Sequence, residues 1–121
     1  MKIVVAEDEI ILAKTLEEKL KLEGYKVFVA TDGRSALDLI EKEKPDLIMT
    51  DIMMPYTSGL ELISIVKSGF AKKTPIIVLS SMGEENIVLQ AFELGADDFI
   101  TKPFNPTELS LRVKRFTLKK K

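Results

Sequence analysis

The sequence predicts an α/β protein with a (βα)5 pattern, in which helices cover both faces of a doubly wound, five-stranded parallel sheet. Short apolar runs alternate five times with segments whose apolar residues recur at helical spacing. The runs are nearly continuous in valine, isoleucine and leucine, which is typical of strands buried on both faces and hence of parallel sheets. Right-handed crossovers between parallel strands then place helices on both sides.

Each predicted strand is a short apolar run, and each is followed by one predicted helix. The predicted strands are Ile3–Ala6, Val27–Ala30, Leu47–Thr50, Pro75–Leu79 and Phe99–Ile100. The residues predicted to point inward from the helices are, in chain order, Leu12, Leu16 and Leu20; Ala36, Leu37 and Ile40; Leu62, Ile63 and Val66; Ile87, Ala91 and Leu94; and Leu109, Val113 and Phe116. Gly24 and Gly95 end the first and fourth helices, because glycine readily adopts the left-handed conformation that follows a helix.

The last predicted helix has the best-defined start and a basic end. Asn105 is placed as a cap, Pro106 at the first helical position and Glu108 at the third, from which it can reach back to the cap N–H. Residues 112–121 hold six basic residues and no acid, a charge that is favourable at a helix C-terminus. The alternative is that a linker to a domain absent from this chain begins near residues 117–121.

The composition narrows the possible chemistry. The chain has 121 residues, of which 45% are hydrophobic and 31% charged, as expected for one globular domain over residues 1–121. Without cysteine or histidine, zinc sites and histidine-dependent catalysis are excluded. The net charge of −1 argues against a nucleic-acid surface over the whole domain. With no signal peptide and no long apolar stretch, we expect a cytoplasmic protein without membrane contact.

Four charged residues follow predicted strands at the same edge of the sheet. Glu7 and Asp8 follow the first strand, Asp51 the third and Lys102 the last. The carboxyl ends of parallel strands meet at the edge where open α/β folds carry their chemistry. Three carboxylates converging there repel each other unless a cation lies between them. Oxygen ligands alone favour a hard ion such as Mg²⁺.

Such a site could transfer a phosphoryl group to Asp51. A carboxylate that attacks phosphorus forms an acyl phosphate, and the oxygens of the transferred group need a metal and donors such as Lys102. Ser80, at the end of the fourth strand, can supply a hydroxyl. Singly, each residue has a simpler role: Asp8 could cap the first helix, Lys102 could be solvated and Ser80 could belong to a turn. Their joint placement at four strand ends favours the site.

The motifs around these residues resemble the receiver domains of two-component response regulators, over essentially the whole chain. They are Glu7-Asp8, Asp51-Ile52-Met53-Met54-Pro55 with Gly59, Leu79-Ser80-Ser81, and residues 95–104 with Lys102-Pro103-Phe104 at their end. The resemblance implies a flavodoxin-like fold shared with chemotaxis regulators, and a signalling switch rather than an enzyme with a separate substrate. In motif, the chain is most similar to receivers attached to winged-helix DNA-binding domains.

The resemblance also implies a role for each site residue. Asp51 is implied to be the phosphoacceptor, which takes a phosphoryl group from a phosphohistidine of a sensor histidine kinase. Glu7, Asp8, Asp51 and the backbone carbonyl of Met53 are implied to hold Mg²⁺.

Further roles are implied around the transferred group. Ser80 is the hydroxyl that moves toward it, Lys102 its counter-ion and Phe99 the aromatic switch residue, and the Lys102–Pro103 bond is expected to be cis. Phosphorylation is implied to change the face formed by the fourth helix, fifth strand and fifth helix. Contact with DNA is expected only through an effector domain outside this chain.

That face is also the expected surface for a phosphorylation-enhanced homodimer. In winged-helix receivers, a symmetric dimer forms through crossed ion pairs on these segments. The charged residues on the same segments here are Asp97, Asp98, Glu108, Arg112 and Lys114. Val88 stands where those relatives usually carry the basic partner of Glu108, whereas Leu89 and Phe92 can supply an apolar centre.

Three other functions stay open on the sequence alone. An Asp-nucleophile phosphatase of the haloacid dehalogenase type needs a second acid two residues after the nucleophile, where this chain has Met53. A flavin or cobalamin module on the same topology is disfavoured because the chain has no tryptophan or histidine and two tyrosines. A degenerate receiver that serves only as a protein-binding scaffold is disfavoured by the intact acid triad, Ser80 and Lys102.

Overall fold

The computed structural model describes residues 1–54, 57–69, 71, 73–81 and 83–118. Strands and helices alternate along the whole described chain, which confirms the predicted α/β architecture. The elements are β1 (Lys2–Ala6), α1 (Ile10–Leu22), β2 (Lys26–Ala30), α2 (Gly33–Glu43), β3 (Leu47–Asp51), α3 (Gly59–Ser68), β4 (Ile76–Ser81), α4 (Glu85–Leu94), β5 (Asp98–Lys102) and α5 (Pro106–Leu118).

The five strands form one parallel sheet in the order β2-β1-β3-β4-β5. The chain reverses its direction of winding after β2, so that β1 and β3 are neighbours at the point where ligands bind in open α/β sheets. Asp51 lies beside Leu79 of β4, and Ser80 lies beside Thr101 of β5. This register brings the carboxyl ends of β1, β3, β4 and β5 to one edge.

Two hydrophobic clusters fill the spaces between the sheet and its helices. One lies under α2, α3 and α4 and includes Ala36, Leu62 and Ala91. The other lies under α1 and α5 and includes Leu16 and Val113. Because strand residues alternate between the faces, β1, β2, β3 and β4 each contribute to both clusters, whereas β5 contributes Ile100 to the second. The helices thus cover both faces, as predicted.

The predicted inward faces of the helices are confirmed for α5, whereas for α4 the prediction is confirmed for Ala91, which is buried, and for Ile87, which packs partly buried against the core, and is wrong for Leu94. Leu109, Val113 and Phe116 are buried, and the Asn105 side chain accepts hydrogen bonds from the backbone N–H groups of the first turn of α5. In α4 the buried residues are Val88 and Ala91, whereas Leu94 is exposed. The helix is rotated about its axis relative to the predicted stripe, because Val88 and Ala91 pack on the sheet.

None of the helices within the described residues is long and apolar enough to cross a membrane.

Candidate phosphoacceptor site

The carboxyl ends of β1 and β3 hold three carboxylates side by side. One oxygen each of Glu7, Asp8 and Asp51 lies within 4.8 Å of the other two. Glu7 is fully buried and Asp51 is 5% exposed, whereas Asp8 is half-buried. Acids are rarely buried without a partner, so this cluster needs a compensating positive charge.

Lys102 supplies part of that charge from the end of β5. Its Nζ lies 3.2 Å from Oδ2 of Asp51 and 3.3 Å from Oε1 of Glu7. A third carboxylate, that of Glu9, lies 3.8 Å from the same ammonium group. The Lys102–Pro103 peptide bond is cis, the isomer that the resemblance implied. One ammonium group therefore faces more carboxylates than it can neutralise.

The pKa values of the two buried acids reflect this excess of negative charge. Burial raises the pKa of Glu7 from 4.5 to about 7; the nearby Asp51 adds to the rise, while the Glu9 N–H and Lys102 oppose it. Burial also raises the pKa of Asp51, against the lowering effects of Lys102 and of the Met53 N–H. Added positive charge at the site would therefore favour ionisation of both acids.

Lys102 remains the charged partner in this cluster. Burial alone lowers the pKa of a lysine, but the carboxylates of Asp51 and Glu7 outweigh that effect and raise the pKa of Lys102 above its usual value. The ammonium group is therefore a fixed positive charge beside Asp51.

The donor set fits a hard divalent cation. The three acids offer only oxygen ligands, their oxygens already converge, and the lysine leaves a net negative charge to be neutralised. A cation bound there would remove the electrostatic cost of ionising Glu7 and Asp51 together.

A glycine allows the segment after β3 to fold closely against the site. A Cβ atom on Gly59 would lie 2.3 Å from the carbonyl oxygen of Asp51, and the Gly59 N–H donates to the carbonyl of Ile52 at 2.7 Å. Any side chain there would push the chain away from Asp51. Pro55, which belongs to the same sequence motif, lies outside the described residues.

The remaining predicted residues surround this cluster at different distances. Ser80 is buried at the end of β4 and projects, like Val78, from the face that α4 covers. Met53 is exposed beside Asp51. Phe99 is two residues before Thr101 on β5 and packs against Phe92 of α4, away from the acids. The structure therefore brings Glu7, Asp8, Asp51 and Lys102 together, and places Ser80 and Phe99 on the adjoining face.

The residues that lead into α1 have different roles from those that the sequence suggested. The N-cap of α1 is Glu9, so Asp8 is not the capping residue that it could have been. Glu9 also approaches Lys102 and is a fourth acid at the site, which the sequence analysis did not single out. Its position directly after Asp8 was the available signal.

The ion pairs on the α4, β5 and α5 face are formed within the chain. Arg112 Nη1 donates to both carboxylate oxygens of Asp98, at 2.8 and 3.0 Å, and Arg115 lies 3.3 Å from the same group. Asp97 pairs with Lys67 of α3 at 3.1 Å. Both aspartates considered for crossed pairs in a dimer therefore already have partners.

Comparisons with known proteins identify this arrangement. The family model of the response regulator receiver domain matches residues 3–114. The receiver domain of the Francisella response regulator 1452 is 35% identical, with a TM-score of 0.91, over 99% of this chain and 98% of that one. The receiver domain of NtrX from Brucella abortus is 31% identical, with a TM-score of 0.89, over 94% and 96% of the two chains. CheY4, a chemotaxis response regulator of Vibrio cholerae, is 31% identical, with a TM-score of 0.88, over 95% and 97%.

The fold and the site define a signalling receiver of the two-component type. The chain belongs to the response regulator receiver domain family, as its motifs predicted. Receivers of this family act as switches rather than as conventional enzymes, interact with histidine kinases and hold a divalent metal ion in an acidic pocket.

Proposed function

We propose that this chain is a phosphoacceptor switch in which Asp51 takes a phosphoryl group from the phosphohistidine of a sensor histidine kinase. The observation that carries the proposal is the placement of Asp51, buried at a strand end between Lys102 and two further acids. The same intact set argues against a degenerate receiver that acts only as a scaffold. A single domain in the cytoplasm remains our prediction.

In the proposed reaction, a carboxylate oxygen of Asp51 attacks the phosphorus atom. A P–O bond forms as the P–N bond to the kinase imidazole breaks, and the imidazole leaves with the bonding electrons. Lys102 lies where it can neutralise one oxygen of the transferred group, and the Ser80 hydroxyl can donate to another. The products are an aspartyl phosphate and an unmodified histidine.

We propose Mg²⁺ as the divalent ion. Glu7, Asp8, Asp51 and the backbone carbonyl of Met53 would hold it, and oxygen ligands of this kind suit Mg²⁺ better than softer metals. When bound, it would neutralise phosphoryl oxygens and keep Asp51 ionised. Mg²⁺ affinity should fall as the pH drops toward the raised pKa values of Glu7 and Asp51, because protonated acids are poor ligands.

Labelling with a small phosphodonor tests the proposal. With Mg²⁺ and acetyl phosphate, the chain should gain one phosphoryl group by mass spectrometry, and hydroxylamine should remove it. Asp51→Asn should gain none, whereas the matched variant Asp38→Asn, on the exposed side of α2, should be labelled like the parent. Equal labelling of Asp51→Asn and the parent would exclude Asp51 as the acceptor.

The proposed output surface is the face of α4, β5 and α5, where phosphorylation should enhance a weak homodimer. Support comes from two exposed apolar residues, Leu89 and Phe92, on that face. Because Asp98 is already paired with Arg112, crossed ion pairs add little, and we expect a coupling of about 1–3 kcal/mol. Sedimentation with and without beryllofluoride measures this coupling. A chain that is monomeric in both states would indicate a receiver that uses this face for another partner.

A further inference from the structure

Phe92 of α4 and Phe99 of β5 form an aromatic pair at the surface. Their ring centroids are 6.0 Å apart and their planes are inclined by 85°, an edge-to-face arrangement. Phe92 is 39% exposed and Phe99 is 36% exposed. Phe99 therefore lies outside the core, and the contact with Phe92 is one of the interactions that hold its ring there. Such pairs are favourable beyond the area that they bury.

A cavity of about 440 Å³ adjoins this pair and reaches toward the phosphoacceptor site. It is lined by residues of β4, α4 and β5 that include Ser80, Val88 and Thr101 together with both phenylalanines. Thr101 lies beside Ser80 in the sheet and two residues after Phe99, so all three project from the same face. The cavity is therefore open space between the ring of Phe99 and Ser80.

We propose that Phe92 is a positioning residue that holds Phe99 outward and thereby opposes the switch to the phosphorylated form. This inference rests on the proposed function, in which Phe99 turns inward when Ser80 moves toward the phosphoryl group. The edge-to-face contact is observed with Phe99 outward, and an inward turn of Phe99 would disrupt its geometry, so the contact is proposed to stabilise the outward state. A contact made in only one state shifts the equilibrium between the outward and inward states by the whole free energy of the contact. Removal of the contact therefore favours the inward state.

Beryllofluoride binding to Phe92→Leu measures this effect. Leucine preserves apolar volume but cannot form the ring pair, and position 92 is exposed enough for the variant to fold. The affinity for beryllofluoride with Mg²⁺, measured by fluorine NMR at concentrations where the chain is monomeric, should rise about two- to tenfold, the range expected for one aromatic pair. The aromatic proton resonances of Phe99 should shift toward their beryllofluoride-bound positions before the ligand is added.

Three further variants separate this role from a general effect on α4. Phe92→Tyr keeps the ring and should bind beryllofluoride like the parent. Leu94→Ala shortens another exposed apolar residue of α4, one that does not line the cavity, and should also bind like the parent. In a Phe99→Leu background, Phe92→Leu should have no further effect, because Phe92 is proposed to act through Phe99.

The outcomes distinguish this inference from the proposed function. A parent chain that binds no beryllofluoride and accepts no phosphoryl group would overturn both. A parent that binds, together with an unchanged affinity in Phe92→Leu, would overturn only the role of Phe92. The role of Phe92 is likewise overturned if the effect of Phe92→Leu persists in the Phe99→Leu background, or if Leu94→Ala reproduces that effect.

Discussion

Two aspartates in strands of the same sheet, Asp51 and Asp98, lie in opposite electrostatic surroundings. Both are nearly buried, with 5% and 6% of their surface exposed. Asp98 receives hydrogen bonds from Arg112 on both carboxylate oxygens, and from Arg115 and the Phe99 N–H. Asp51 shares the single ammonium group of Lys102 with Glu7.

The difference shows how the same side chain becomes either part of the structure or part of a site. Asp98 is the first residue of β5, and two guanidinium groups of α5 pair with its one carboxylate, so the local charge is positive. Asp51 ends β3, at the edge where other acids converge. A buried acid with surplus cations stabilises the fold, whereas a buried acid with surplus anions leaves a charge for a cation or phosphoryl chemistry to compensate.

The largest expected effect on stability is the loss from Asp98→Asn. The change leaves Arg112 and Arg115 without their anion, and breaking a buried ion pair is strongly destabilising. Because both arginines are partly exposed, we expect a loss of about 2–4 kcal/mol in the free energy of unfolding, measured by urea denaturation. If Asp98→Asn lowered the free energy of unfolding by less than an ordinary surface substitution such as Asp38→Asn, the ion pairs of Asp98 would not stabilise the fold.

The second expected effect is a decrease in stability with rising pH in metal-free protein. Between pH 4.5 and about 7, the folded state keeps a proton on Glu7 that the unfolded chain has already released. The free energy of unfolding should therefore fall through this interval, with a contribution from Glu7 on the order of 1–3 kcal/mol. Urea denaturation of the parent and of Glu7→Gln, in the presence of a chelator, isolates the contribution of Glu7. If the free energy of unfolding varied with pH in the same way in the two proteins, the prediction would be contradicted.

Asp51→Asn is expected to stabilise the metal-free protein, whereas Asp98→Asn destabilises it, and the effect is smaller. Removing one negative charge from a cluster that has too many should raise the metal-free stability at neutral pH, by less than the loss expected for Asp98→Asn. The substitution should also reduce the stabilisation that added Mg²⁺ gives the parent, because it removes a proposed ligand. Thermal denaturation with and without Mg²⁺ measures both quantities. Destabilisation of the metal-free variant would mean that Asp51 is paired as fully as Asp98.

The smallest expected effect is that of Arg112→Lys. In the parent a single guanidinium nitrogen, Nη1, contacts both oxygens of Asp98. Lysine keeps the charge, but its ammonium group is more strongly hydrated than a guanidinium group and is less suited to a nearly buried carboxylate. We expect a loss of about 0.5–1 kcal/mol in urea denaturation, with the rate of labelling by acetyl phosphate unchanged. A changed labelling rate would link this ion pair to the phosphoacceptor site.

The sequence predicted the fold because its signals are local. Apolar runs, glycine stops and the Asn105 cap each depend on a few neighbouring residues, and they specified all five strands and helices. The prediction was wrong at single positions where a helix offered more apolar residues than it could bury. In α4, Ala91 is buried as predicted, but the packing of the helix against the sheet buries Val88 and leaves Leu94 exposed.

By itself, the sequence determined the family, the parallel sheet and the identity of the acids at its edge, since strand ends and motifs follow from residue order. Only the tertiary structure decided the electrostatics, because charge balance depends on which side chains meet across strands far apart in the chain. It placed Lys102 between Glu7 and Asp51, and it surrounded Asp98 with the arginines of α5. It also set Phe92 against Phe99, a contact that no spacing in the sequence encodes.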